Sequence, residues 1–264
     1  MARRRLDAEL VRRGLARSRE HAVALIAEGR VAVSGRAATK PATGVDAGDP
    51  VVVRTDPDQP SWVSRGAHKL LGALEAFPVV VEGRRALDAG ASTGGFTEVL
   101  LRRGAAEVVA VDVGYGELAW ALRTDERVRV HERTNVRTLT PEAIDGPVDL
   151  VVADLSFISL RLVLPALTGC AAPEADLLPM VKPQFEVGRE RLGAGGVVRD
   201  PEHRVQSVLE VAAAAAALGW GTAGVAASPL PGPAGNVEFF LWLRRDAGPA
   251  REDDVRRAVQ EGPQ

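Results

Sequence analysis

Along the first fifty residues the apolar positions fall at helical and then at strand spacing. Leu6, Leu10 and Val11 share one face of a helix that Gly14 ends. Ser18 caps a second helix carrying Ala22, Ile26 and Ala27, and Gly29 stops it. RVAVSG and DPVVVR then alternate or run apolar as short strands do, with a Gly/Pro/Asp-rich connection between them. Residues 1–55 therefore read as a small module of two helices and a little sheet. Residues 56–64 are polar and proline-broken and read as a linker.

From SRGAHKLLGALEAF onward, strands and helices take turns. Strands are predicted at RRALDAG, EVVAVD, VRVHE, VDLVVAD, DLLPMVKP, GTAGVAA and VEFFLWLR, and helices at GGFTEVLLRR, ELAWALR, SLRLVLPALTG and PEHRVQSVLEVAAAAAALG. Such alternation implies a mostly parallel sheet covered by helices on both faces, an α/β, Rossmann-like fold over residues 65–246. The last strand follows the loop PLPGPAGN with no helix between, so it is expected to be antiparallel and at the edge. Residues 247–264 are charged and read as a frayed tail.

Charge sharpens the division. Ten Arg/Lys against four acids give residues 1–40 a net of +6, while the whole chain carries −2. A basic module on an acidic body suggests a polyanionic partner held by the N-terminal part. A single cysteine, Cys170, excludes an internal disulfide and points to the cytoplasm. No apolar run approaches membrane length and no apolar stretch follows the basic N-terminus, which disfavours membrane spanning and secretion. The four histidines are scattered without ligand spacing, so no metal is expected.

The stretch ALDAGASTGGFTEVLL is a strand, a glycine turn and the start of a helix. In open α/β sheets ligands sit beyond the carboxyl ends of the strands. A dinucleotide turn would read G-x-G-x-x-G, but Ser92 occupies its middle position. Asp88, just before the turn, would repel a pyrophosphate and suits the cationic amino-acid and sulfonium groups of S-adenosylmethionine. Asp112, 22 residues after Gly90, is placed to accept hydrogen bonds from ribose hydroxyls. Asp154 and Lys182 end two further strands, and Glu238 opens the antiparallel one, so all three reach the same edge; Lys69 lies on a helix that can fold over it. Methyl transfer to a hydroxyl fits this set, because a poor nucleophile needs its proton removed or directed away, and a neutral lysine can do that. Lys182 is the candidate, with Asp154 organising it and Lys69 and Glu238 positioning the acceptor. Base-directed methylation competes, since Asp154-Leu-Ser-Phe157 resembles an acid-x-x-aromatic motif without its paired prolines. A non-catalytic RNA-binding factor is a third reading. Phe157 could stack on a flipped base or simply pack beside the site. VGRERLGAGGVVRD, residues 187–200, reads as a mobile lid or RNA-contacting loop, or as a plain connection.

Taken in order, these motifs resemble the TlyA, or hemolysin-A-like, family of ribosomal RNA 2′-O-methyltransferases. RLDAELVRRGLARSREHA with EGRVAVSG is similar to the family's RNA-binding module of the ribosomal-protein-S-four type. SWVSRGAHKL, LDAGASTGGFTEVLL, VDVGYGELAW, DLVVADLSFISL, MVKPQFEVG and GNVEFFLWL resemble its FtsJ-like methyltransferase domain. The resemblance implies a catalytic tetrad at Lys69, Asp154, Lys182 and Glu238. It implies S-adenosylmethionine contacts at Asp88, Gly90, Ser92, Thr93, Gly94, Phe96, Thr97 and Asp112, and RNA contacts at Arg5, Arg19 and Arg65. It further implies a cytoplasmic monomer that methylates cytidine in the 23S rRNA of the 50S subunit and, given the long basic N-terminus, in 16S rRNA of the 30S subunit. The family's linker reads Arg-x-Trp-Val, where this chain has Pro60-Ser61-Trp62-Val63.

Overall fold

The computed structural model describes residues 3–16, 18–54, 62–232 and 234–263. The chain divides into two units, Met1–Arg65 and Gly66–Gln264. Most of the linker expected at 56–64 lies outside the described residues.

The first unit runs β1 (Arg4–Arg5), α1 (Leu6–Arg12), α2 (Arg19–Ala27), β2 (Val31–Val33), β3 (Arg36–Ala37), β4 (Gly44–Val45) and β5 (Val51–Val53). β2 is the middle of a three-stranded sheet between β3 and β5, and β1 pairs with β4. Ser18 caps α2 as its sequence predicts: its Oγ accepts the backbone N–H of His21 at 3.1 Å. The core is Leu6, Leu10, Ala22, Leu25, Ile26, Val31 and Val45. Leu25 takes the place expected of Ala27, which is exposed, because the helical period groups 22, 25 and 26 on one face.

The second unit runs α3 (Gly66–Ala76), β6 (Arg85–Ala89), α4 (Gly95–Arg102), β7 (Glu107–Val111), α5 (Trp120–Arg123), β8 (Val128–His131), β9 (Val148–Ala153), α6 (Leu160–Gly169), β10 (Ala171–Val181), α7 (Pro183–Glu186), α8 (Pro201–Ala217), β11 (Gly221–Ala227), β12 (Phe239–Arg244) and α9 (Glu252–Glu261). Its sheet has seven strands in the order β11-β12-β10-β9-β6-β7-β8. β10, β9, β6, β7 and β8 are parallel, and β12 runs antiparallel to both β10 and β11. The period of two along each strand sorts the faces. Leu87, Ala89, Val109, Val111, Val151, Ala153, Leu177, Val181, Phe239, Leu241 and Leu243 all enter one core with α6, α8 and α9. On the other face Phe240 meets Phe96 of α4 and Trp242 meets Phe77 beyond α3, with ring centroids 6.1 and 5.7 Å apart.

Two expectations are corrected. The antiparallel strand is not at the edge: β12 is inserted between β10 and β11, and β11 is the edge. Phe239, Phe240, Leu241 and Leu243 are all fully buried, the near-continuous apolar run of an interior strand. The C-terminal stretch is not frayed either. Val255, Ala258 and Val259 recur at helical spacing and seat α9 in the main core, while its acidic first turn faces water.

Candidate active site

The parallel register brings the ends of β6, β9 and β10 level, with Ala89 opposite Ala153 and Ala153 opposite Pro179, and Val181 faces Phe239 at the start of β12. The residues that follow or precede these positions share one edge. Gly90 has φ +88°, and a Cβ there would stand 2.6 Å from the Asp154 carbonyl oxygen, so only glycine lets the turn after β6 touch the end of β9.

Asp88 is fully buried. Thr97 Oγ1 of α4 donates to its Oδ2 at 2.7 Å, and its Oδ1 has no partner among the described residues. Burial first, then the neighbouring Asp154 and Asp112 carboxylates, push the Asp88 carboxyl up to about 7 against the opposing Thr97 hydrogen bond. An unpaired buried carboxylate oxygen is costly, and a cationic ligand group would satisfy it. Across the turn, Asp112 accepts from the backbone N–H groups of Ser92 at 2.8 Å and Gly114 at 2.7 Å. Ser92 Oγ donates to Glu117 at 3.2 Å, a second acid beside the turn that the sequence reading missed. Of the other expected cofactor residues, Thr93 and Gly94 lie in the turn that opens α4, with Gly94 as its N-cap. Thr97 spends its hydroxyl on Asp88, and Phe96 packs its ring on Phe240. These residues fit S-adenosylmethionine better than a pyrophosphate-bearing cofactor, since acids rather than basic groups line the turn.

Beside the turn the four expected catalytic residues come together. Lys69 Nζ donates to Glu238 Oε2 at 2.5 Å and lies 4.0 Å from Asp154 Oδ2. Lys182 Nζ is ion-paired with Asp154 Oδ1 at 2.6 Å and donates to Ser156 Oγ at 2.9 Å. Lys69, Lys182 and Glu238 are buried and Asp154 is partly exposed. The two cations and two anions balance, which is how charges persist in a buried place. α3 is held where Lys69 can reach by Gly72, whose Cβ would stand 2.6 Å from Pro229 in the loop between β11 and β12. That contact is long-range, so no local pattern announces it. Ser156 was also missed. Its signal is present in the sequence, since it stands two residues after Asp154, where an extended chain returns a side chain to the same side.

Phe157 is 92% exposed and has φ +62°, and its ring lies 5.3 Å from that of Phe185. Apart from that contact the ring stands in water, so a bulky residue held at positive φ is strained for little packing return. Residues 187–200 contain two short helical turns, and the segment is tied down by Asn236, which accepts from the Val198 N–H and donates to the Gly196 carbonyl. In the first unit, Arg5 and Arg19 both bind the carboxylate of Asp7; Arg65 is exposed. Burial pushes the Cys170 thiol up to about 11, with Glu142 adding to it, so no reactive thiolate is at hand. Among the described residues no cluster of His, Cys, Asp or Glu could hold a metal ion. None of the described helices is long and apolar enough to cross a membrane.

A mostly parallel sheet with a reversed strand next to its edge, a glycine turn after β6 and an acid closing β7 define a Rossmann-like methyltransferase. The FtsJ-like methyltransferase family matches residues 62–245, and the S4 domain matches residues 4–51. The chain is 65% identical to the 16S/23S rRNA (cytidine-2′-O)-methyltransferase TlyA of Mycobacterium tuberculosis, covering 100% of both. It is 33% identical to Hemolysin A of Brachyspira hyodysenteriae, covering 89% of this chain and 98% of that one. A solved Streptococcus thermophilus structure described as a candidate hemolysin is 36% identical, with a TM-score of 0.78 over 99% of this chain and 96% of that one. The chain belongs to the TlyA, or hemolysin-A-like, family, in which an S4 domain is joined to an FtsJ-like methyltransferase domain.

Proposed function

We propose that the protein transfers a methyl group from S-adenosylmethionine to the ribose 2′-OH of cytidine in 23S rRNA and in 16S rRNA. The observation that carries this reading is Lys182 Nζ, held 2.6 Å from Asp154 at the strand edge that also bears the Asp88 turn. S-adenosylmethionine supplies an electrophilic methyl group on a positively charged sulfur. The ionised Asp88 carboxylate, Asp112 and the backbone of residues 90–94 hold and orient it. Lys182, after releasing its ammonium proton to solvent, takes the 2′-OH proton onto Nζ and so returns to its ion pair with Asp154 and its hydrogen bond to Ser156. Lys69 and Glu238 keep the ribose in line and leave the pocket without net charge. Phe157 offers its exposed face to a base turned out of its stack, and Arg5, Arg19 and Arg65 contact the RNA backbone. The two domains divide the labour, with residues 1–55 gripping rRNA and 65–246 carrying out the transfer. The enzyme works as a monomer in the cytoplasm, where 50S and 30S subunits are found.

The experiment is tritiated methyl transfer to separated 50S and 30S subunits, followed by nuclease digestion. The expected product is a 2′-O-methyl nucleoside from both subunits; a methylated base in its place would establish the base-directed alternative, and no transfer at all the non-catalytic one. Lys182→Ala should lower the rate at least about 10²-fold with subunit binding unchanged.

A further inference from the structure

Among the described residues of the S4 unit two carboxylates are buried, each clasped by two arginines, and the pairs differ in what the guanidinium groups have left to do. Glu9 binds Arg12 and Arg13. Arg13 is only 18% exposed and donates onward to the carbonyls of Asp46, Ala47 and Asp49, so that pair staples the fold. Asp7 is 3% exposed, yet the side chains it holds are open to water, Arg5 at 54% and Arg19 at 60%. Arg5 lays one edge of its fork on the carboxylate, Nε to Oδ1 at 3.1 Å and Nη2 to Oδ2 at 3.0 Å. Arg19 Nη2 reaches Oδ2 at 2.9 Å, and the Ala8 N–H fills Oδ1 at 2.8 Å. Four donors saturate the carboxylate and, with Arg5 contributing most, hold its carboxyl well below the usual carboxylate range.

We propose that Asp7 is a positioning residue that fixes Arg5 and Arg19 side by side as a clamp for one RNA backbone phosphate. Arginine side chains in water lose much rotamer freedom when they bind an anion. Here the loss is met on folding, because β1 delivers Arg5, the cap of α2 delivers Arg19, and the acid at the start of α1 locks both. One negative charge under two positive ones leaves the pair at net +1, with the remaining donors of each fork available. A planar fork suits phosphate, which is the repeating anion of the rRNA substrate inferred above; the clamp rests on that reading.

Asp7→Asn tests it, because charge counting and positioning predict opposite signs. The variant gains one positive charge, so electrostatics alone predicts tighter binding to purified 50S subunits and a steeper salt dependence. Positioning predicts binding about tenfold weaker, the cost of re-ordering two free side chains. Equal or tighter binding overturns the proposal. Arg5→Lys with Arg19→Lys is the companion variant should Asp7→Asn lower the melting temperature: charge is conserved and the fork is lost. Weaker binding at an unchanged salt slope is expected, and an unchanged Kd overturns the proposal. Arg5→Ala with Arg19→Ala separates the two layers of inference. If that pair leaves 50S binding intact, the RNA-contact reading itself fails; if it weakens binding while Asp7→Asn does not, only the clamp fails. Adding Asp7→Asn to the Arg5→Ala/Arg19→Ala protein should cost nothing further, and a second loss of the same size would mean that Asp7 acts through the fold instead.

Discussion

Asparagine in place of Asp88 should stabilise the ligand-free protein, and the gain should grow with pH. The Asp88 carboxyl is raised in the folded protein from 3.8 to about 7. Below about 3.8 both folded and unfolded chains carry the proton, and the group costs folding nothing. Between 3.8 and about 7 the unfolded chain releases the proton and the folded chain keeps it, so stability falls as pH rises; above about 7 the loss is complete. At about 1.4 kcal/mol per pH unit the full loss is about 4 kcal/mol, and the part between about pH 5 and pH 8 is about 3 kcal/mol. Asn keeps an acceptor for Thr97 and cannot ionise, so its own packing cost is the same at both pH values and cancels in the comparison. Urea unfolding of wild type and Asp88→Asn at the two pH values measures the difference directly. The variant's advantage should widen by about 3 kcal/mol on going from pH 5 to pH 8, equivalent to roughly 6–12 °C in melting temperature for a domain of this size. An advantage that is the same at both pH values would refute the reasoning, because it would mean that Asp88 is already ionised in the folded protein.

The same residue should couple cofactor affinity to pH: calorimetric titration with S-adenosylmethionine should show affinity rising toward about pH 7 with uptake of the ligand releasing a proton, and Asp88→Asn should bind weakly at every pH. Gly90→Ala places a Cβ 2.6 Å from the Asp154 carbonyl at φ +88°, which should cost about 1–3 kcal/mol in a chemical melt and weaken cofactor binding. Ser156→Ala removes the Lys182 hydrogen bond and should lower kcat about three- to tenfold at unchanged KM, with Ser156→Thr restoring most of it. Lys69→Ala leaves Glu238, 1% exposed, without its cation, and should cost about 3 kcal/mol of stability, measured by urea unfolding and separate from any loss of rate.

Much of the site was legible before the structure because parallel topology turns strand ends into neighbours. Asp154, Lys182 and Glu238 each sit next to an apolar run that reads as a strand, and the absence of a helix before the last run reverses its direction. Period two also separates Asp88 from Leu87 and Ala89, sending it to the face of α4 while they enter the main core. What stayed hidden depends on contacts between distant segments. The reach of Lys69 depends on Gly72 against Pro229, and the burial of β12 on which strands lie either side of it, neither of which a local pattern records. In α9 the many charges masked Val255, Ala258 and Val259. Glu117 carries no distinctive motif, and its partner Ser92 becomes visible only when the turn is placed in space, whereas the spacing of Ser156 from Asp154 was there to be read.

The pairing of Lys69 with Glu238 spans 169 residues, and β12 enters between two strands already made. The cluster of Lys69, Asp154, Lys182 and Glu238 therefore cannot be completed before β12 is in place. A nascent chain that has emerged as far as α8 already owns the glycine turn, Asp154 and Lys182, yet it lacks the wall that carries Glu238. Order in the turn and in the parallel strands thus does not by itself supply the four-residue cluster; that waits on a contact between the two ends of the methyltransferase domain.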